Sequence, residues 1–257
     1  MTDHHEQAPS PGDQDEPNGR TGRIEAGVER IGDRLEAGRE RIENKLVELK
    51  PRMRGWLHAG TFPLSVLLGA ILVILAPDER TRVSTAIFAV TASMLFGVSA
   101  LYHRGGWSPR TSSFLKRFDH ANIFLIIAGT YTPFSVLLLP AGPARTLLWI
   151  VWTGALLGVA FRVLWVGAPR WLYVPVYIAL GWVALAYVPA LLKGGGVAVF
   201  TLVVVGGALY TMGGVVYGLK KPNPSPRYFG FHEVFHAFTV LAFLAHYTGI
   251  SLAAFNS

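Results

Sequence analysis

The chain of 257 residues contains no cysteine. That absence excludes disulfides, thiol nucleophiles, iron–sulfur clusters and cysteine-ligated zinc. Charged residues are also scarce, at 15% of the chain, against roughly 25% in soluble domains. Hydrophobic residues make up 51%, and the mean hydropathy is positive. The composition therefore argues against a soluble globular enzyme and predicts a membrane protein.

Acidic residues are almost absent from most of the chain. Fourteen of the sixteen lie at or before Glu79, and only Asp119 and Glu233 follow. Each has a histidine beside it, in Asp119-His120 and His232-Glu233. An ionised carboxylate inside a membrane span costs about 2.5–3.5 kcal/mol on insertion scales. Both acids are therefore expected to have partners.

The first 54 residues are polar and differ from the rest. Residues 1–22 are rich in proline, glycine and aspartate and are predicted to be a disordered acidic tail. Residues 23–54 place apolar side chains at intervals of three and four among alternating charges, which predicts an amphipathic cytoplasmic helix. Two interpretations stay open for this helix. It could lie on the membrane surface, or it could pair with a partner helix in a coiled coil.

Residues 55–257 contain seven apolar runs, each about long enough to cross a bilayer core of roughly 30 Å. We therefore predict an all-α polytopic protein with a bundle of seven transmembrane helices. The predicted spans are residues 57–76, 83–103, 118–139, 146–166, 171–192, 197–219 and 229–252.

Lysine and arginine predict the orientation of these spans. With the N-terminus inside, the inner loops hold nine basic residues and the outer segments four, and the first 54 residues add ten inside. This bias favours an inside N-terminus and an outside C-terminus in a multi-pass protein of the inner (plasma) membrane. No separate basic domain exists, so nucleic acid is not an expected partner. No lysine lies in the middle of a span, which excludes a retinal Schiff base.

On this topology, polar residues from three spans share one membrane depth. They are His103, Asp119, His232 and His236. Three imidazoles with one open position suit catalytic zinc, and a nearby carboxylate can orient or deprotonate a bound water. Two blander interpretations stay open, namely separate hydrogen bonds between helices and a proton relay of aspartate and histidine.

The histidine pair of the last span also matches the H-E-x-x-H motif of zinc proteases. That match makes Glu233 a rival base and intramembrane proteolysis a rival reaction. Glu233, His58 and Tyr102 are candidates to contact the metal-binding side chains without binding the metal themselves. His120 points about 100° away from its neighbouring aspartate and is expected to be structural. His246 lies about 15 Å deeper along its helix and is expected to be outside the site.

Four segments resemble the bacterial hemolysin III family, which belongs with the progestin and adipoQ receptors (PAQR) and, more remotely, the alkaline ceramidases. They are Ser99-Ala-Leu-Tyr-His103, Asp119, Ala128-Gly-Thr-Tyr-Thr-Pro133 and His232-Glu-Val-Phe-His236. The resemblance covers about residues 55–252. It implies a seven-helix bundle with zinc near the inner face. It also implies that His103, His232 and His236 hold the metal, that Asp119 reaches it through water, and that Ser99 belongs to the site.

The expected function is a zinc-dependent hydrolase of a lipid amide or ester, involved in membrane homeostasis. Asp119 would act as the base and Ser99 would hold the oxyanion or the water, while the lipid substrate enters from the bilayer. Three alternatives remain. They are a non-enzymatic regulator or receptor-like sensor with structural zinc, a pore-forming cytolysin (hemolysin), and an intramembrane metalloprotease.

Overall fold

The computed structural model describes residues 27–39, 51–165 and 167–255. Within those residues the regular structure is helical, apart from an isolated β-bridge between Ser225 and Phe229. The chain divides into two compact units, Met1–Leu49 and Lys50–Ser257. The predicted all-α polytopic architecture is confirmed.

The first unit contains one described helix, α1 (27–39). Its apolar side chains Val28, Ile31 and Leu35 are 60–68% exposed. The helix predicted for 23–54 is thus described over its middle part, and 40–50 lie outside the described residues. The predicted helix is wrong at its end, because residues 52–55 form turns. The disordered tail predicted for 1–22 also lies outside the described residues.

The described part of the second unit is built from α-helices and one short 3-10 helix. These are α2 (Trp56–Ile74), α3 (Glu79–Arg104), α4 (Pro109–Leu138), α5 (Ala141–Leu164), α6 (Arg170–Gly181), the 3-10 helix (Val183–Tyr187), α7 (Val188–Leu219) and α8 (Phe231–Phe255).

Six helical segments of the described residues are long and apolar enough to cross a membrane. One of them, Arg170–Leu219, has 50 residues, which would extend about 75 Å as a single helix. A bilayer core is only about 30 Å thick. The backbone of Gly196 leaves the helical conformation, with φ 68° and ψ −179°, inside α7. The long segment is therefore two crossings joined at Gly196.

Side-chain contacts show that the chain reverses at this point. The Trp182 indole donates a hydrogen bond to Thr211 Oγ1 at 2.9 Å. Further from the turn, Val174 of α6 lies against the backbone of Gly218 near the end of α7. Early residues of α6 therefore meet late residues of α7, as they do in antiparallel helices. When the segment Arg170–Leu219 is counted as two crossings, the described helices make seven crossings, as predicted.

Two helices begin earlier than predicted because side chains cap them. Asp78 accepts a hydrogen bond from Thr81 N at 2.9 Å, so α3 begins at Glu79 rather than at residue 83. That bond also lowers the pKa of the Asp78 carboxyl. The Ser108 hydroxyl accepts from Thr111 N, and Pro109 occupies the first turn, where its missing N–H costs nothing. Helix α4 therefore starts nine residues before the predicted span.

An aromatic core joins α3 and α8. Phe243 packs against Phe88 and Phe96, with ring centroids 5.8 and 5.1 Å apart. Helices α2 and α3 run antiparallel, since Phe62 lies against Gly97 and Ala89 lies against Gly69. Consequently α3 ends where α2 begins, at the same end of the bundle as the start of α8.

The seven crossings predict that the two ends of the second unit lie on opposite sides of the membrane. Because the protein has no cysteine, single cysteines can report sidedness without background. We expect Ser10→Cys and Pro224→Cys to react with an impermeant maleimide only from the cytoplasmic side, and Ser257→Cys only from the outside. Labelling of Pro224→Cys from the outside and of Ser257→Cys from the cytoplasmic side would contradict the reversal at Gly196, because it would leave only six crossings.

Candidate metal centre

Helix α8 supplies two imidazoles from its first two turns. His232 and His236 are four residues apart, which places both on one helix face. Their ring centroids are 4.4 Å apart, and both side chains are buried. The start of α8 is held by the side chain of Asn223, which accepts from Phe231 N at 3.1 Å. The pair is thereby presented at one defined end of the bundle.

The last turn of α3 supplies the third imidazole, His103. Its Nε2 lies 3.1 Å from His232 Nε2. One ring nitrogen from each of His103, His232 and His236 lies within 4.8 Å of the others, and all three residues are buried. Two nitrogens bound to one tetrahedral metal at about 2.0–2.1 Å are roughly 3.3–3.4 Å apart. The triad is therefore close to the spacing that one ion requires.

Asp119 and Ser99 adjoin this triad. Asp119 Oδ2 lies 3.8 Å from His103 Nε2, and the aspartate side chain is 12% exposed. Ser99, one helical turn before His103, is buried, and it lines the same cavity as Asp119. The structure thus brings together the five residues that the sequence nominated from three different spans.

His58 and Tyr102 also lie beside the site. The His58 ring stacks on His236 with centroids 3.7 Å apart and an interplanar angle of 10°. Neither nitrogen of His58, nor Nδ1 of His236, has a hydrogen-bond partner among the described residues. Tyr102 packs on its neighbour His103, with ring centroids 4.6 Å apart. Buried imidazole nitrogens without partners are uncommon. A metal ion bound at the triad would supply a partner for the His236 ring.

Glu233 faces a different set of partners. One carboxylate oxygen is bound by Arg54 Nε, and the other accepts from Gly230 N at 2.8 Å. Glu233 therefore caps the start of α8 and pairs with a partly buried arginine. With both oxygens engaged in this way, the residue contacts α8 and the segment before α2 instead of the triad.

The segment before α2 is also joined to the loop before α8 by its backbone. Arg52 N donates to Arg227 O at 3.0 Å, and Met53 N donates to Tyr228 O at 3.1 Å. Together with the Arg54–Glu233 pair, these bonds connect residues 52–54 to the helix that carries two of the triad histidines.

His120 belongs to a neighbouring hydrogen-bond network. Its Nδ1 lies 2.7 Å from Lys116 O, and its Nε2 lies 3.1 Å from the Tyr217 hydroxyl. The Tyr173 hydroxyl donates to Tyr217 at 3.3 Å. Both ring nitrogens of His120 are thus engaged by protein groups, as a structural histidine requires.

An internal cavity of about 110 Å³ adjoins the triad. His236, Ser99 and Asp119 line it near the triad, and Tyr210 and His246 line it further into the bundle. His246 is not a member of the triad, as predicted, but it borders the same cavity. Most of the remaining lining is apolar, so the cavity is suited to a hydrocarbon chain.

A family model described as "Haemolysin-III related" matches residues 47–247. The chain belongs to the haemolysin-III related family. It is 35% identical over 190 residues to the "Hemolysin-3 homolog" of Bacillus subtilis (strain 168), covering 71% of this chain and 86% of that protein. It is 32% identical over 164 residues to the "Hemolysin-3" of Bacillus cereus, covering 62% of this chain and 73% of that protein. The matched region of the family model contains all the site residues described above.

Sequence reasoning missed two contributors to this end of the bundle. Arg54 pairs with Glu233, and a signal for it was present, because a buried carboxylate at the inner end of a span needs a cation from the same side. Tyr217 packs on His232, with ring centroids 5.6 Å apart. A tyrosine on an apolar helix carries no pattern that distinguishes it from an ordinary packing residue.

The triad predicts about one divalent metal ion per chain. His103→Ala, His232→Ala and His236→Ala should each weaken zinc affinity by about 100-fold or more, because each removes a direct ligand. Each should also lower the melting temperature measured with metal present, because bound metal stabilises the fold. Elemental analysis and zinc titration of purified protein measure both effects.

His246→Ala is the matched control, since it removes a buried histidine from the same helix at a distance from the triad. It should retain the full metal content. Equal zinc content in the wild type and all three triad variants would contradict the site.

Proposed function

We propose that this haemolysin-III related protein is a zinc-dependent hydrolase of a lipid amide or ester in the cytoplasmic membrane, with a role in membrane homeostasis. The observation that supports the proposal is the juxtaposition of three histidines, one carboxylate and one hydroxyl at one end of an apolar cavity. The donor set of three neutral nitrogens leaves a fourth position open, as catalytic zinc sites do.

In this proposal the triad supports the chemistry and the apolar cavity binds the substrate. A zinc ion at the triad would act as a Lewis acid toward the scissile carbonyl and a water. The apolar cavity would hold the acyl chain, so that the carbonyl lies between the triad and Asp119. His58, stacked on His236, would keep that ring in its ligating orientation.

Asp119 would act as the general base. It comes from α4, across the bundle from the histidines of α8, and therefore faces the open side of the triad. Asp119 would take a proton from the water as the water oxygen attacks the carbonyl carbon. It would return this proton to the leaving amine or alcohol as the bond between that group and the carbonyl carbon breaks. The Ser99 hydroxyl, which lines the same cavity, would donate to the carboxylate and orient it for this transfer.

Glu233 is a poor candidate for the same role. Its two oxygens are bound to Arg54 and to the backbone of Gly230, so its lone pairs are already engaged. This arrangement disfavours intramembrane proteolysis of the H-E-x-x-H type. The described residues also line the cavity with mostly apolar side chains, which gives little support to an ion-conducting pore.

A second candidate is a sensor in which the metal is structural. Residues 52–54 are hydrogen-bonded to the loop before α8 and to Glu233, and α1 exposes an apolar seam. A partner or membrane surface that binds the N-terminal helix would act on the chain just before residues 52–54, which are hydrogen-bonded to the segment that carries two triad histidines. Turnover of a lipid amide or ester by purified protein separates this candidate from the hydrolase.

The roles of the two acids predict opposite results for two isosteric amides. Asp119→Asn should keep most of the zinc but abolish hydrolysis, because an amide cannot accept the proton. Glu233→Gln should retain activity within about tenfold, a barrier change of no more than about 1.4 kcal/mol. Its amide oxygen can still cap α8, although the charge pair with Arg54 is lost. Rates on a fluorogenic lipid amide and ester, with zinc content measured in parallel, test both.

An inactive Glu233→Gln with an active Asp119→Asn would overturn the assignment of the base. Arg54→Gln provides a control for the ion pair, because it removes the same charge interaction and leaves both acids in place. It should also retain hydrolysis, but with a lower melting temperature than Glu233→Gln, because it leaves a buried carboxylate without its cation.

A further inference from the structure

The part of the cavity furthest from the triad contains polar atoms without partners. His246 Nδ1, the Tyr210 hydroxyl and Thr130 Oγ1 are buried and have no hydrogen-bond partner among the described residues. All three residues line the cavity. Buried polar groups almost always have a partner, and lipid tails around the bundle cannot provide one. The partner of these atoms is therefore a molecule inside the cavity, either water or a polar group of a ligand.

The arrangement of these residues is held by the fold. His246 of α8 and Tyr210 of α7 have ring centroids 5.7 Å apart. The His246 imidazole packs directly on the backbone of Gly206, where an added Cβ would collide with the ring. Thr130 of α4 and His246 also line a second void beside the cavity. His246 is only 7% exposed, so its free nitrogen faces the interior of the bundle.

The hydrogen bonds define what this polar end can bind. His246 Nε2 lies 3.2 Å from the carbonyl oxygen of Val203. A carbonyl only accepts, so Nε2 carries the hydrogen and Nδ1 of the neutral ring is an acceptor. The Tyr210 hydroxyl is free to donate. An acceptor beside a donor complements a ligand hydroxyl, which donates to His246 and accepts from Tyr210.

The distance to the triad defines the rest of the ligand. Ten residues of α8 separate His236 from His246, which places the two about 15 Å apart along the helix. Between them the cavity is lined by apolar side chains such as Ile123, Ile127 and Ile178. A molecule that reaches both ends therefore has a polar head, a long hydrocarbon segment and a second polar group.

We propose that the cavity binds a long acyl chain that carries a hydroxyl group part-way along it, with His246 and Tyr210 binding that hydroxyl. The position of the ligand's carbonyl or carboxylate head at the triad rests on the proposed function. The recognition of the hydroxyl rests on the His246–Tyr210 pair itself, and it does not require that the lipid be hydrolysed.

The experiment compares ricinoleate with oleate, which differ by one mid-chain hydroxyl. Affinities are measured by competition with radiolabelled oleate on the full-length, zinc-loaded protein in lipid nanodiscs. We expect the wild type to prefer ricinoleate by about tenfold, the upper range for one buried hydrogen-bonded group. Tyr210→Phe and His246→Leu should each lose this preference, so that the ratio of the two affinities falls to about one.

Two controls separate this subsite from the metal centre and from general destabilisation. Tyr247→Phe removes a hydroxyl from the residue next to His246, outside the cavity lining, and should keep the preference. His103→Ala should weaken both ligands by the same factor and also keep it. Tyr210→Phe removes one oxygen atom and no packing volume beyond it, so a loss of preference in that variant does not reflect misfolding.

Each outcome decides the proposal. Equal affinities of the wild type for the two ligands would mean that the polar end holds only water, and would overturn it. A preference that survives in both Tyr210→Phe and His246→Leu would overturn it as well. A preference that is lost in these variants, in a protein that hydrolyses no lipid, would support the subsite and count against the proposed reaction alone.

Discussion

Polar side chains inside an apolar bundle must find partners without water, and this constraint shapes the protein more than any other. Apolar side chains on helices that face lipid need no specific partner, but an imidazole or carboxylate within those helices needs a defined neighbour. His103, Asp119 and the pair on α8 meet at one end of the bundle. Helices α3, α4 and α8 therefore approach each other there through polar side chains as well as through apolar ones.

The two acids of the membrane domain illustrate how the same constraint leads to different roles. Glu233 is one residue from a triad histidine, yet its oxygens are bound by Arg54 and Gly230. Asp119 comes from another helix and lies 3.8 Å from His103 Nε2 and 3.9 Å from His120 Nδ1. Glu233 is thus paired with an arginine and a backbone N–H, whereas Asp119 is surrounded by imidazoles.

The cavity extends this division along the bundle. Near the triad its walls carry groups that suit a carbonyl and a water, and further in they become apolar before His246 and Tyr210. The antiparallel packing of α6 against α7, through Trp182 and Thr211, closes one side of it. The reversal at Gly196 is what allows this packing, because its φ of 68° is a conformation that side-chain-bearing residues rarely adopt.

The sequence by itself determined the fold class and most of the site. Seven apolar runs of spanning length, polar residues near their ends and the i, i+4 spacing of His232 and His236 are local features, and helical periodicity translates them directly into positions in a bundle. What only the tertiary structure decided is which partners each polar group has. The pairing of Arg54 with Glu233, the stacking of His58 on His236 and the contact of His246 with Tyr210 join residues from different segments of the chain. Local periodicity places a side chain on a face of its own helix, but the rotation and approach of the neighbouring helix determine what that face meets.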